Sequence, residues 1–236
     1  MNTQKEYEVI KFIEHNGRYR VVMDCEQGRL LIDRVLDPKG ITKQQVFKWI
    51  EKLILEVERF EQAKDGQCYR YLNPYTVVVT QSEEVFLLDL TAQNNREILK
   101  NVQKPQLREH FIKPLISLDK TRPAADLFVL GKTIQFVMSY TNEFFTLTRH
   151  EEYLLSDLIE RCLELNSKKK FENIKQMRKY LLKITDVKLK KQKRKMIIVI
   201  LTIVTILLGL CSVKSFAHEN NTEIQYYQEE IQEQKM

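Results

Sequence analysis

From Met196 to Val213 the chain runs for eighteen residues without a charge, MIIVILTIVTILLGLCSV, and twelve of them are Ile, Leu or Val. At about −0.3 to −0.6 kcal/mol for each such residue, transfer of this run into a bilayer gains on the order of −5 kcal/mol. As a helix it rises about 27 Å, a little short of a hydrocarbon core of about 30 Å. Lys214 can snorkel and Phe216 extends the apolar stretch. A core helix this uniformly apolar would need a larger protein around it than 236 residues supply. The run therefore predicts one transmembrane helix at 196–213, and the remainder must fold on either side of it.

The flanks set the expected topology. Lys188, Lys190, Lys191, Lys193, Arg194 and Lys195 crowd into the eight positions before the run, whereas the 23 residues after Val213 hold two lysines and five glutamates. By the positive-inside rule the large N-terminal part is expected in the cytosol and the tail outside, with the protein in the plasma membrane as a single-pass chain. Met1 to Tyr7 is polar, so no cleavable signal peptide is expected and the late helix directs targeting. The basic collar also suits anionic lipid head groups, at about 1 kcal/mol per charge near the surface. In the tail Ile224, Tyr227 and Ile231 fall at i, i+3 and i+7, consistent with a short partner helix or with a solvated, frayed end. Four segments follow: a domain at 1–187, a basic juxtamembrane stretch at 188–195, the helix at 196–213 and an extracytoplasmic tail at 214–236.

The net charge of +6 is concentrated in that collar. Residues 1–187 carry 30 Lys and Arg against 27 Asp and Glu, so no basic nucleic-acid-binding face is expected. Cys25, Cys68, Cys162 and Cys211 form no CxxC pair, and His15, His110, His150 and His218 share no ligand spacing, so neither a zinc site nor a disulfide framework is expected.

Along 1–187 the pattern is α+β. Tyr7 to Ile13 and Tyr19 to Met23 read as strands joined by a turn at His15-Asn16-Gly17. An apolar segment, Leu30 to Leu36, precedes the Asp37-Pro38-Lys39-Gly40 turn. Thr42 with Gln45 predicts a capped helix whose buried stripe is Val46, Trp49, Ile50, Leu53, Val57 and Phe60, with Trp49 in the core. A second hairpin follows, Thr76 to Val79 and Val85 to Leu90. Helical periodicity then predicts elements near 95–112, 124–141, 149–165 and 172–184.

Three of these stretches, in order, resemble the protein kinases of eukaryotic type. Tyr-Arg-Tyr-Leu-Asn-Pro-Tyr-Thr at 69–76, a strand, and Leu-Asp-Leu at 88–90 resemble the catalytic loop His-Arg-Asp-Leu-Lys-Pro-x-Asn followed by Asp-Phe-Gly. Asp126 to Thr133 (DLFVLGKT) is similar to the family's helix F, and Ile159 to Phe171 to its late Cys-Leu loop. The resemblance implies a kinase-like fold over roughly 7–184, with a reduced β N-lobe and a mainly helical C-lobe. In it Arg70, Asp126 and Gly131 occupy architectural positions. The family's helix F aspartate hydrogen-bonds the catalytic-loop backbone.

The departures fall on the chemistry. In-line phosphoryl transfer needs a carboxylate to orient the attacking hydroxyl, and that slot holds Tyr71. Asn73 stands for the catalytic-loop lysine and Thr76 for the metal-binding asparagine. Asp89 remains at the magnesium-binding position, but one carboxylate alone makes a poor magnesium site. Two alignments of the front are open. Tyr19 to Gly28 matches the strand and hinge between the lobes, or His15 to Met23 matches the glycine-rich loop with Asp33 or Arg34 at the lysine position. Both lack the phosphate-binding amine, and no Ala-Pro-Glu motif precedes Asp126.

The resemblance thus implies a membrane-anchored pseudokinase, a scaffold or regulatory module that binds protein partners without phosphotransfer and needs no cofactor. In layout the chain resembles a membrane subunit of Gram-positive type VII secretion, which makes envelope assembly such as secretion or pilus building the expected setting. Two alternatives stay open: an atypical kinase holding ATP and magnesium through Asp89, and an anchored domain that binds anionic lipid through Lys188 to Lys195.

Overall fold

Asn16 and Gly17 both hold positive φ, 53° and 72°, which is the geometry of a two-residue turn that splays neither strand. In the computed structural model, which describes residues 4–111, 123–164 and 169–184 together with 202 and 205, this turn joins strand β1 (Lys5–His15) to β2 (Arg18–Leu30). The two pair antiparallel without interruption from His15↔Arg18 to Lys5↔Gly28. The hairpin is longer at both ends than its apolar alternation predicts, because polar residues such as Lys5, Glu6 and Gln27 are also drawn into the ladder.

A second hairpin, β3 (Val77–Thr80) and β4 (Val85–Leu88), turns at Gln81 to Glu84. The two hairpins then join. Gly28, Arg29 and Leu30 pair with Thr80, Val79 and Val78, and Val9 and Ile10 pair with Leu88 and Leu87, closing a four-stranded barrel in the order β1-β2-β3-β4. Gly28 is required by that closure: a Cβ there would lie 2.6 Å from Val78 Cγ1 and 2.7 Å from the Val79 carbonyl oxygen.

The rest is helical, giving a mixed α+β fold. The segment Leu30 to Leu36 divides: Leu30 ends β2, and Leu31–Leu36 forms the short helix α1. Helix α2 (Lys43–Ala63) begins with the predicted capping box, in which the Gln45 N–H donates to Thr42 Oγ1 at 3.3 Å and the Thr42 N–H donates to Gln45 Oε1 at 2.8 Å. Its stripe of Val46, Trp49, Ile50, Leu53 and Val57 is buried. After a 3₁₀ turn at Gln93–Asn95 come α3 (Arg96–Val102), α4 (Pro105–Phe111), α5 (Pro123–Thr141), α6 (Arg149–Cys162) and α7 (174–184). A second capping box, Thr148 with Glu151, starts α6, and Lys43 at the head of α2 donates to the same Glu151 at 2.8 Å. The main core joins Ile10, Val79 and Leu87 of the barrel to the α2 stripe, to Leu130 and Ile134 of α5, Leu158 of α6, and Met177 and Leu181 of α7. A smaller cluster of Tyr7, Val9, Val78 and Leu88 fills the other side of the sheet.

The chain divides into two compact units, Met1–Thr185 and Asp186–Met236. Among the described residues no helix is long and apolar enough to cross a membrane. The apolar run 196–213 lies outside the described residues apart from Thr202 and Thr205, both helical and exposed. The collar 188–195 and the tail 214–236 lie outside them altogether.

Candidate functional site

Helix α2 ends where Asp65 and Gly66 take left-handed backbone, φ 49° and 79°, and the Gly66 N–H turns back to the Glu61 carbonyl at 2.7 Å. The chain is thereby sent into the loop 69–76 that precedes β3, the stretch whose sequence resembles a catalytic loop. Tyr69 anchors its start: the ring is buried and the phenol donates to the Leu88 carbonyl at 2.8 Å, and that burial pushes its ionisation well above the usual tyrosine range.

The side-chain polar groups of Asn73 and Thr76 are spent inside the loop. Asn73 Nδ2 donates to the Tyr71 carbonyl at 2.7 Å, and Asn73 Oδ1 accepts from the Tyr75 N–H at 2.8 Å. Thr76 is fully buried; its hydroxyl accepts from the Asn73 N–H at 3.1 Å and lies 3.0 Å from the carbonyl oxygens of both Tyr71 and Asn73. Tyr71 itself sits at φ 66°, a conformation rare for a side chain of its size. The Pro74 carbonyl accepts from the Ile32 N–H at 2.9 Å, and the Thr76 carbonyl from the Leu88 N–H at 3.0 Å, so the loop is also tied to α1 and β4.

Helices α3 and α4 fold over this loop. Gln103 Nε2 reaches the Tyr71 hydroxyl at 3.5 Å, and Tyr71, Asn73, Val102, Phe111 and Val129 enclose a cavity of about 20 Å³. That volume holds a water molecule at most, far below the several hundred Å³ of a ligand site.

Asp89 follows β4 and is buried. Its Oδ1 accepts from the Thr91 N–H at 2.9 Å and from the Thr91 hydroxyl at 2.6 Å, and its backbone is held by Glu8 and Asn95. The carboxylate is therefore the cap of a local turn. Among the described residues no group of three or more His, Cys, Asp or Glu side chains is arranged to hold a metal.

The architectural positions separate. Gly131 lets α5 approach α6, since a Cβ there would stand 2.5 Å from Cys162 Cβ. Asp126, at 2% exposure in the first turn of α5, faces Glu61 and Cys68, and its Oδ2 has no hydrogen-bond partner among the described residues. Burial, then the neighbouring Glu61 carboxylate, push its carboxyl up to about 7, and burial raises that of Glu61 as well. Arg70 is exposed and has no ion pair with another described residue. The six basic residues Lys188, Lys190, Lys191, Lys193, Arg194 and Lys195 lie outside the described residues.

One cluster was not singled out from the sequence. Glu83, in the β3–β4 turn at φ 63°, accepts from the Trp49 indole N–H, from Arg34 at 3.1 Å and from Gln45 at 3.2 Å, while Lys52 donates to its carbonyl at 2.8 Å. Trp49 is thus a core residue with one polar tether. Only the tertiary fold reveals this hub, because its members come from α1, α2 and a turn that reads as ordinary solvent-facing polarity.

No family model matches the chain, and no curated protein matches it. Among solved structures, one described as "PpkA-294 apo form" is similar at 17% identity with a TM-score of 0.49, over 73% of this chain and 66% of that one. The present chain therefore spans just under two thirds of its length.

Proposed function

We propose that this chain is a membrane-anchored pseudokinase, a protein-binding scaffold or regulatory module that performs no phosphotransfer. The observation that carries the reading is the self-contained loop 69–76. Tyr71 stands where a proton-accepting carboxylate is needed, and the polar groups of Asn73 and Thr76 are consumed by bonds that hold the loop's own shape. Asp89 keeps the residue type of a magnesium ligand but spends an oxygen on Thr91. The order of the three kinase-like stretches supports the fold family, and their substitutions support the loss of chemistry. The anchor at 196–213 with its basic collar gives the module its place at the inner face of a membrane, with the tail outside. An envelope assembly remains the setting that this layout suits best.

The test uses the full chain reconstituted in lipid vesicles. Its single tryptophan, Trp49, reports on the domain's fold. Titration with ATP and Mg²⁺ is expected to leave both the Trp49 emission and the melting temperature unchanged, with no label transferred from γ-labelled ATP to the chain or to a generic substrate. Label transfer that disappears in Asp89→Ala would overturn the proposal in favour of an atypical kinase. Topology is read separately by protease: domain and tail are expected on opposite sides of the bilayer, and protection of both on one side would remove the anchor.

A further inference from the structure

The long β1–β2 ribbon leaves most of the outer edge of β2 unpaired, as it does β1 beyond Ile10. Because a two-residue turn closes it at the hydrogen-bonded pair His15↔Arg18, alternate residues of β2 face alternate neighbours. Arg18, Arg20, Val22, Asp24 and Glu26 direct their backbone groups to β1. Tyr19, Val21, Met23, Cys25 and Gln27 direct theirs outward, and β3 takes up β2 only from Gly28 onward. The backbone agrees with that parity: on β1 the outward carbonyl of Glu8 accepts from Asp89, and on β2 the outward N–H of Cys25 finds only the Asp24 carboxylate, at 2.8 Å.

Natural edges are blunted with proline, bulges or charged side chains. This one has no proline, no bulge in eleven consecutive pairs, and exposed apolar side chains at its middle, Val22 at 38% and Met23 at 56%. Met23 and Cys25 are exposed on this edge, whereas Tyr19 and Val21 are half-buried on one face, Tyr19 under Arg59 of α2 and Val21 against the main core. Its charges are sorted by sign, with Arg18 and Arg20 on one side of Val22 and Asp24 and Glu26 on the other. Lys11 of the same chain already engages Asp24 and Glu26, whereas Arg18 and Arg20 have no ion pair with any described residue.

We infer that the partner of this edge is a second copy of the same chain, joined by antiparallel β2–β2 pairing about a two-fold axis at Val22. In that register Val21 faces Met23 of the other copy and Tyr19 faces Cys25, both as hydrogen-bonded pairs made by outward groups. Val22 faces Val22, Arg20 faces Asp24 and Arg18 faces Glu26 as the close, non-hydrogen-bonded pairs, so four opposite-charge pairs form across one interface. A slip by two residues in either direction preserves the backbone parity but makes only two opposite-charge pairs in place of four, and a parallel arrangement sets like charge beside like. The interface is independent of the anchor and of the reading of loop 69–76.

Cysteine cross-linking of the full chain in membranes tests both contact and register. A non-hydrogen-bonded pair brings its Cα atoms to about 4.5 Å, within the reach of a disulfide. On a Cys25→Ser background, with diamide oxidising two thiols to one disulfide, Val22→Cys is expected to form covalent dimer at least about tenfold faster than Ile13→Cys, an exposed site on β1 away from the edge. Charge then fixes the register. Arg18→Glu with Arg20→Asp makes an all-acidic edge, and Asp24→Arg with Glu26→Lys an all-basic one; each, carrying Val22→Cys, is expected not to cross-link alone, while the mixture does. Trp49 emission establishes that both variants are folded. Equal rates at positions 22 and 13, or cross-linking of either folded charge variant by itself, overturn the proposal.

Discussion

Replacing Gly131 by alanine adds one methyl group where two helices touch. The new Cβ would stand 2.5 Å from the Cβ of Cys162, against an ordinary contact of 3.4 to 4 Å. Both atoms are fixed to backbone, so no rotamer change relieves the overlap, and α5 must withdraw from α6 by roughly 1 Å. Overpacking of this kind costs about 1 to 3 kcal/mol, and a clash between two Cβ atoms belongs near the upper end. Alanine returns about 0.8 to 1 kcal/mol of helix propensity, leaving a net loss of about 2 kcal/mol. For a folded unit of this size that corresponds to a fall in Tm of about 4 to 8 °C. Trp49, the only tryptophan in the chain and buried in the same core, follows unfolding in urea without a label. The partner variants identify the cause. Cys162→Ala removes only the sulfur and should leave the Gly131→Ala penalty intact, whereas Cys162→Gly should erase much of it, with a coupling of about 1 to 2 kcal/mol in the double-mutant cycle. A Gly131→Ala protein as stable as the parent, or a penalty equal on both Cys162 backgrounds, would refute the close approach of the two helices.

Three other outcomes are expected. Asp126 has its folded ionisation raised to about 7, so the folded state holds a proton that the unfolded chain releases above the usual carboxylate range. Its stabilising contribution is complete below pH 4 and fades as pH rises towards 7 and beyond; urea titrations should show Asp126→Asn flattening this slope and gaining most against the parent near pH 8. Glu83→Ala leaves the Trp49 indole without its acceptor and Arg34 without its carboxylate, at about 1 to 3 kcal/mol, read as a lower urea midpoint and altered Trp49 emission in the folded state. Thr76→Val keeps the shape of the side chain but leaves the Asn73 N–H without its acceptor in a fully buried position, again at about 1 to 3 kcal/mol, and amide exchange in 71–76 should quicken.

Local chemistry made much of this fold legible. The Asn16-Gly17 turn, both predicted capping residues of α2 and the stripe from Val46 to Val57 stand as their sequence predicts, because each depends on neighbours within a few positions. What could not be read was the joining of the hairpins. Gly28 to Leu30 meets Val78 to Thr80 across some fifty residues, and only the absence of a side chain at Gly28 hints that another backbone comes close. The same limit hid the Glu83 hub. Trp49 was expected in the core and is there, but its tether is supplied from a turn 34 residues away. At the candidate site, residue identities gave a tyrosine at position 71, yet not the bonds that its neighbours make. That Thr76 and Asn73 turn inward to hold the loop follows from its particular backbone, including the positive φ of Tyr71.

This inward turn bears on what kind of protein can be built on such a loop. A catalytic loop aims its polar side chains at a substrate and leaves them partly unsatisfied until the substrate arrives. Here the hydroxyl of Thr76 and both ends of the Asn73 amide already have partners in the chain, and the Asp89 carboxylate caps a turn. Displacing those bonds for a ligand would forfeit buried hydrogen bonds worth about 0.5 to 1.5 kcal/mol each before any new contact formed. The loop is therefore held by its own hydrogen bonds, and the helices beside it leave about 20 Å³ next to Tyr71. A loop fixed in this way gives up little conformational entropy when anything binds beside it.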